Sequence, residues 1–150
     1  MSELDEYWSK FLKDTNRDEE ERCSGDLCFD SKGFINDELL TLVLCRKKTA
    51  FFTPFAYFSI NQEPLPVDGE LYIVVDKNNH PKCIIEFANV QIVPYNEVTW
   101  EMASKEGEDQ NLEEWKNKQR EYIEEEGHIS GFNFEPDMNL VFQQFNVIYQ

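Results

Sequence analysis

The sequence predicts an α+β fold, a curved and mostly antiparallel sheet or small β-barrel flanked by helices. Three observations carry this. The segments run in the order helix, helix, several strands, two helices, last strand, and nothing in that order requires a parallel βαβ crossover. Two stretches rich in Ile and Val, Glu70 to Asp76 and Pro81 to Pro94, are joined by the turn Lys77–His80 and make a hairpin. Hydrophobic residues make up 41% of 150 residues, and twelve Phe, six Tyr and three Trp suffice to fill one core.

The elements follow from local patterns. From Ser2 to Thr15, Leu4, Tyr7, Trp8, Phe11 and Leu12 recur at helical spacing, with Ser2 as N-cap. Asn16 to Lys32 is polar, has Gly25 within it and Gly33 just beyond, and carries Asp18-Glu19-Glu20-Glu21; it reads as a long loop with room for one helical turn. Asn36 caps the next helix, with Asp37 and Glu38 in its first turn and Leu39, Leu40, Val43 and Leu44 as its stripe. Thr49 to Ser59 is aromatic and β-prone, broken by Pro54, and Glu63 to Gly69 is a turn with two prolines. Asn96 opens another helix through Val98, Met102 and Ala103. Asn111 with Glu114 resembles a capping box for a helix bearing Leu112, Trp115, Tyr122 and Ile123 on one face. Leu140 to Tyr149 closes the sheet.

Composition narrows the function. Thirty acidic against fourteen basic residues leave a formal charge of −16, which disfavours duplex DNA and long RNA but not a small basic pocket. No apolar run approaches the ~18 residues of a membrane span, and the acidic start Met1 to Glu6 lacks signal-peptide character, so a cytoplasmic protein is expected. Cys23, Cys28, Cys45 and Cys83 are expected as free thiols. Cys23 and Cys28 are too far apart for the usual zinc pair, and His80 and His128 have no second ligand nearby in sequence; neither metal nor cofactor is expected. His80 reads as a solvated hairpin tip.

Two segments carry chemistry. Arg46-Lys47-Lys48 follows the apolar run Leu39–Leu44 and leads directly into the β-prone Thr49–Thr53. Cations there complement a helix dipole, for about 0.3–1 kcal/mol each, but the junction also fixes a lysine rigidly. Glu106-Gly107-Glu108-Asp109 interrupts two helical patterns and so lies on a loop. Glu108, Asp109, Glu113 and Glu114 read as helix-start acids and solvated faces. Glu106 falls at a helix C-terminus, where an acid is unfavourable, which suggests another role for it: positioning a cation or transferring a proton beside Lys48. Lys48, flanked by Arg46 and Lys47, is a candidate activated amine, and Phe51, Phe52 or Tyr57 a candidate stacking surface for a base.

Taken together these segments resemble the ASCH-domain family, in its larger bacterial subgroup. The resemblance runs through the Tyr7-Trp8 helix, Leu42 to Ala50, Pro64-Leu65-Pro66 with Gly69, Tyr72 to Asp76, Cys83-Ile84-Ile85, Val93-Pro94-Tyr95, Glu106-Gly107-Glu108, and Leu112 with Trp115. It implies one PUA-like domain over residues 1–150, with an N-terminal helical extension to about residue 35. Some members look like amidohydrolases acting on N4-acylated cytidine; others are associated with RNA. The implied catalytic set is Lys48, Glu106 and a threonine whose position holds Phe51; Thr53, two residues on and on the same strand face, is the remaining hydroxyl. Arg46 stands where glycine is usual, and Gln119 where a histidine is common. Arg46, Lys47, Thr49, Phe51, Tyr57 and Glu108 are the implied ligand contacts. The expected partner is a small nucleoside or nucleotide, or a short single-stranded RNA, bound in the cleft with catalysis weakened by the loss of the threonine. The alternatives are a surviving amidohydrolase using Lys48 and Glu106, and an interaction protein with a vestigial cleft.

Overall fold

Helix α1 (Glu3–Asp14) begins with a reciprocal cap. The Ser2 hydroxyl accepts from the Asp5 N–H at 3.1 Å, and the Asp5 carboxylate accepts from the Ser2 N–H at 3.3 Å. Its apolar stripe buries Phe11 and Leu12 against Leu71, Ile73, Val75 and Ile84. The computed structural model describes residues 2–29 and 36–150. The expectations for Gly33, for the end of the first loop and for capping by the Asn36 side chain lie outside the described residues.

The remaining elements are β1 (Gly25–Leu27), α2 (Asn36–Leu44), β2 (Ala50–Pro54), α3 (Phe55–Ile60), β3 (Leu71–Val75), β4 (Pro81–Phe87), β5 (Gln91–Pro94), α4 (Trp100–Ala103), α5 (Leu112–Ser130) and β6 (Asn139–Tyr149). The sheet runs β1-β3-β4-β6-β2, with β5 also on β6. Every pairing is antiparallel except β1 with β3. Strand β6 is the spine. Its second half pairs with β4, while its first half is flanked by β2, with Phe52 opposite Phe142, and by β5, with Ile92 opposite Val141. This shared strand curls the sheet into the half-barrel of a PUA-like fold.

Five expectations are corrected. The long first loop contains β1, a parallel strand too short to show a period-two pattern. Residues 55–60 form α3 rather than continuing the strand: Pro54 has no N–H to donate to a ladder, and its fixed φ of −56° starts a helix. The strand expected from Pro81 to Pro94 breaks between β4 and β5, where Asn89 is left-handed (φ 61°), and both pieces lie along β6. The helix expected from Asn96 is a 3₁₀ turn, Tyr95–Glu97, followed by α4, whose cap is Thr99 accepting from the Met102 N–H at 3.3 Å. Helix α2 ends at Leu44, before the cations, which occupy the following turn.

The core has three parts, one of which roofs the site described next. Phe52 stacks on Phe142 (centroids 4.6 Å, 14°) and meets Trp115 of α5 edge-on at 4.9 Å. Trp115 and Ile123 are fully buried, as the apolar face of α5 predicts. Burying such large side chains contributes roughly 1.5–3 kcal/mol each, and it fixes α5 over β2 and β6. Asn111 caps α5, its side chain accepting from the Glu114 N–H at 2.8 Å.

Candidate functional site

Lys48 reaches the site because of how α2 stops. The Arg46 N–H bonds to Val43 O at 3.1 Å and the Lys47 N–H to Leu42 O at 2.9 Å, the double closure of a Schellman motif. Arg46 therefore occupies the left-handed position (φ 65°), which accounts for glycine being usual there. Its side chain turns outward, donating to Leu44 O and to the Gln150 side chain. Lys48 turns inward and is 2% exposed. Thr49 then ties the start of β2 to the opposite loop, its N–H donating to Lys105 O at 2.8 Å.

The opposing loop is drawn close by Gly107. Its φ is 72°, and a Cβ there would lie 2.5 Å from Lys47 O, so only glycine lets the two backbones touch. That contact seats both neighbouring glutamates on the lysine. Lys48 Nζ donates to Glu108 Oε2 at 2.6 Å, to Glu106 Oε2 at 3.4 Å and to Glu106 O at 3.4 Å. The Phe29 ring centroid lies 5.9 Å from the same ammonium. The other oxygen of Glu106, Oε1, accepts from Trp115 Nε1 at 2.6 Å and from Gln119 Nε2 at 2.9 Å. Burial pushes the Glu106 carboxyl up to about 7 from an ordinary 4.5; Lys48 opposes this, Glu108 adds to it, and the Trp115 hydrogen bond opposes it. A carboxyl poised near neutrality can hold or release a proton, which is the property of a general acid or base.

This cluster lies in the wall of a cavity of about 620 Å³. Phe51, Thr53 and Tyr57 line it together with Lys48, Glu106 and Glu108. Phe51 and Thr53 share a face of β2, as strand alternation requires. Thr53 donates to the buried Gln143 side chain at 2.7 Å, so its hydroxyl is held in place. Phe51 packs against Phe29, Phe87 and Phe145, making its position a hydrophobic wall. Arg46, Lys47 and Thr49 are not part of the lining.

Glu108 and Asp109 are not solvated acids. Their side chains are 9% and 4% exposed, because the 106–109 loop folds inward and meets Lys48 and Lys118; Lys118 Nζ lies 2.9 Å from Asp109 Oδ1. Gln119, singled out in the sequence only as standing where a histidine is common, lines the cavity, as do Gln143, Lys118 and Tyr72, which the sequence did not mark as lining residues. A signal existed for one of them: Gln119 is four residues after Trp115, hence on the same helix face. None of the four cysteines is in a disulfide, and among the described residues no group of three His, Cys, Asp or Glu side chains is arranged to hold a metal ion. Nor is any described helix long and apolar enough to cross a membrane.

A curled half-barrel with a lysine–glutamate cluster opening into one cavity defines a protein of the PUA-like class. The ASCH domain model matches residues 26–149, and the chain belongs to that family. It is similar to a crystal structure of a protein from Enterococcus faecalis V583, at 28% identity and a TM-score of 0.85, covering 98% of this chain and 88% of that one. It is equally similar to a crystal structure of an ASCH domain from Lactobacillus crispatus JV V101, at 28% identity and a TM-score of 0.84, covering 98% of this chain and 92% of that one. Among curated proteins none matches.

Proposed function

We propose that the cavity binds a small planar ligand of the nucleobase or nucleoside type. The observation that carries this reading is the buried Glu106, held by Trp115 and Gln119 in the wall of a cavity of about 620 Å³ whose other surfaces include Phe51, Tyr57 and Tyr72. Aromatic faces accept a stacked base, and a fixed carboxyl beside amide groups reads its polar edge. Hydrolysis of an N4-acylated cytidine is the second reading, favoured by the Glu106 carboxyl sitting near 7 beside Lys48. In that reaction Glu106 would take a proton from water and return it to the leaving amine. Thr53 is the hydroxyl to test for a covalent route.

The experiment is a thermal-shift panel of nucleosides, with N4-acetylcytidine followed in parallel by absorbance for hydrolysis. Binding that is lost in Gln119→Leu, with the fold intact by circular dichroism, supports the cavity reading. Turnover that disappears in Glu106→Gln supports the second. Nucleoside binding unchanged by either substitution refutes the assignment of this site.

A further inference from the structure

The charge of the cavity narrows its ligand further. Among the described residues its lining holds six carboxyl groups, Glu63, Glu70, Glu106, Glu108, Asp109 and Glu126, against two ammonium groups, Lys48 and Lys118. Both ammonium groups already meet carboxylates, Lys48 at 2.6 Å from Glu108 and Lys118 at 2.9 Å from Asp109. A phosphate entering the cavity would approach a surplus of carboxylates. To reach Lys48, whose side chain is 3% exposed, it would have to displace Glu108 from the ammonium; Lys118 is 37% exposed and already holds Asp109 at 2.9 Å. A cation meets the opposite situation: among the described residues carboxyl groups exceed ammonium groups, and the lining includes Phe51, Tyr57 and Tyr72, aromatic rings whose faces carry the negative side of the quadrupole.

We propose that the ligand of this cavity is a planar organic cation, a base or nucleoside bearing positive charge and no phosphate. The nucleoside identity rests on the function proposed above; the charge preference stands on the lining itself. Lys48 keeps its place in this arrangement as the internal counterion of Glu108 and Glu106, rather than as an anion receptor. Cation selection then falls to the carboxylates away from that pair, Glu63, Glu70 and Glu126.

Two matched series separate the two claims. Benzamidinium, benzamide and benzoate share one planar shape and differ in charge, and their binding is read by ligand-observed NMR at low salt. The expected order is benzamidinium, then benzamide, then benzoate, with about tenfold or more between the ends. The spread should narrow when salt is raised, because the Debye length falls to about 3 Å at 1 M. Glu63→Gln combined with Glu126→Gln should reduce the preference while Tm stays within a few degrees. Equal affinities, a reversed order, or no binding of benzamidinium overturns the proposal. The second series is 1-methyladenosine, adenosine and adenosine 5′-monophosphate, expected in the same order. Charge selection among the fragments with no binding of any nucleoside retains the charge inference and removes the nucleobase reading. Preferential binding of the monophosphate overturns the charge inference directly.

Discussion

Replacing Glu106 with Gln should stabilise the protein above neutral pH and alter stability little below pH 5. The side chain is buried and its carboxyl is raised from 4.5 to about 7, chiefly by burial. Because the folded-state value lies above the unfolded one, the folded chain holds this proton more tightly. That contribution is whole below pH 4.5 and is lost as pH rises to about 7 and beyond. At about 1.4 kcal/mol per pH unit the loss comes to about 3 kcal/mol. Gln keeps an oxygen for the Trp115 and Gln119 donors and never ionises, so the variant escapes the pH-dependent loss; its amide nitrogen takes the place of Oε2 beside the Lys48 ammonium, a cost that does not vary with pH across this window. Urea unfolding of both proteins at several pH values measures the difference, and titration of the other acids cancels between the two curves. The stability difference should grow between pH 4.5 and 7 in favour of the variant, reaching about 2 kcal/mol near pH 6. A difference flat across this window would refute the claim that Glu106 titrates near 7. A growing difference of the opposite sign would show that Lys48 dominates over burial.

Two further predictions concern the backbone joints on either side of the lysine. Gly107→Ala places a Cβ 2.5 Å from Lys47 O at a residue with φ of 72°, and should cost about 2 kcal/mol or more, lowering Tm by roughly 5 °C or more; an unchanged melting curve would mean that the 106–109 loop does not rest on Lys47. Arg46→Gly relieves a left-handed residue at the end of α2 and should raise stability by about 0.5–1 kcal/mol in chemical denaturation; a loss would show that the outward hydrogen bonds of Arg46 outweigh its backbone strain.

The parts of the fold legible in the sequence are those set by local chemistry. Ser2 with Asp5, Asn111 with the Glu114 N–H, and the Asp76-to-His80 turn form because short-range donors and acceptors fit one geometry, in which Asp76 Oδ1 accepts from the Asn78 and His80 N–H groups at 2.9 Å. The parts that escaped are set at a distance. β1 exists because β3 offers it an edge, not because Gly25–Leu27 favours a strand. Glu108 and Asp109 carry every mark of solvated acids, and are buried because Gly107 admits the loop against Lys47. The pairing of Lys48 with Glu106 spans 58 positions, and no spacing rule reaches that far; the unfavourable place of Glu106 at a helix end and the family resemblance were the only pointers to it. The donors that hold Glu106 lie on α5, and no pattern within α5 states what Trp115 faces.

Strand β6 sets a timetable for the chain. It is the partner that β2, β4 and β5 share, and Thr53 of the site bonds to Gln143, 90 residues later. Until β6 leaves the ribosome, β2 waits without its ladder and the cavity has no back wall. The nascent chain therefore carries an unpaired aromatic strand, Ala50 to Pro54, while the 90 residues after Thr53, up to Gln143, are made, the condition under which unpaired edges aggregate. Closure of the half-barrel and completion of the ligand cavity become one event, governed by contacts of long sequence separation and slow for that reason.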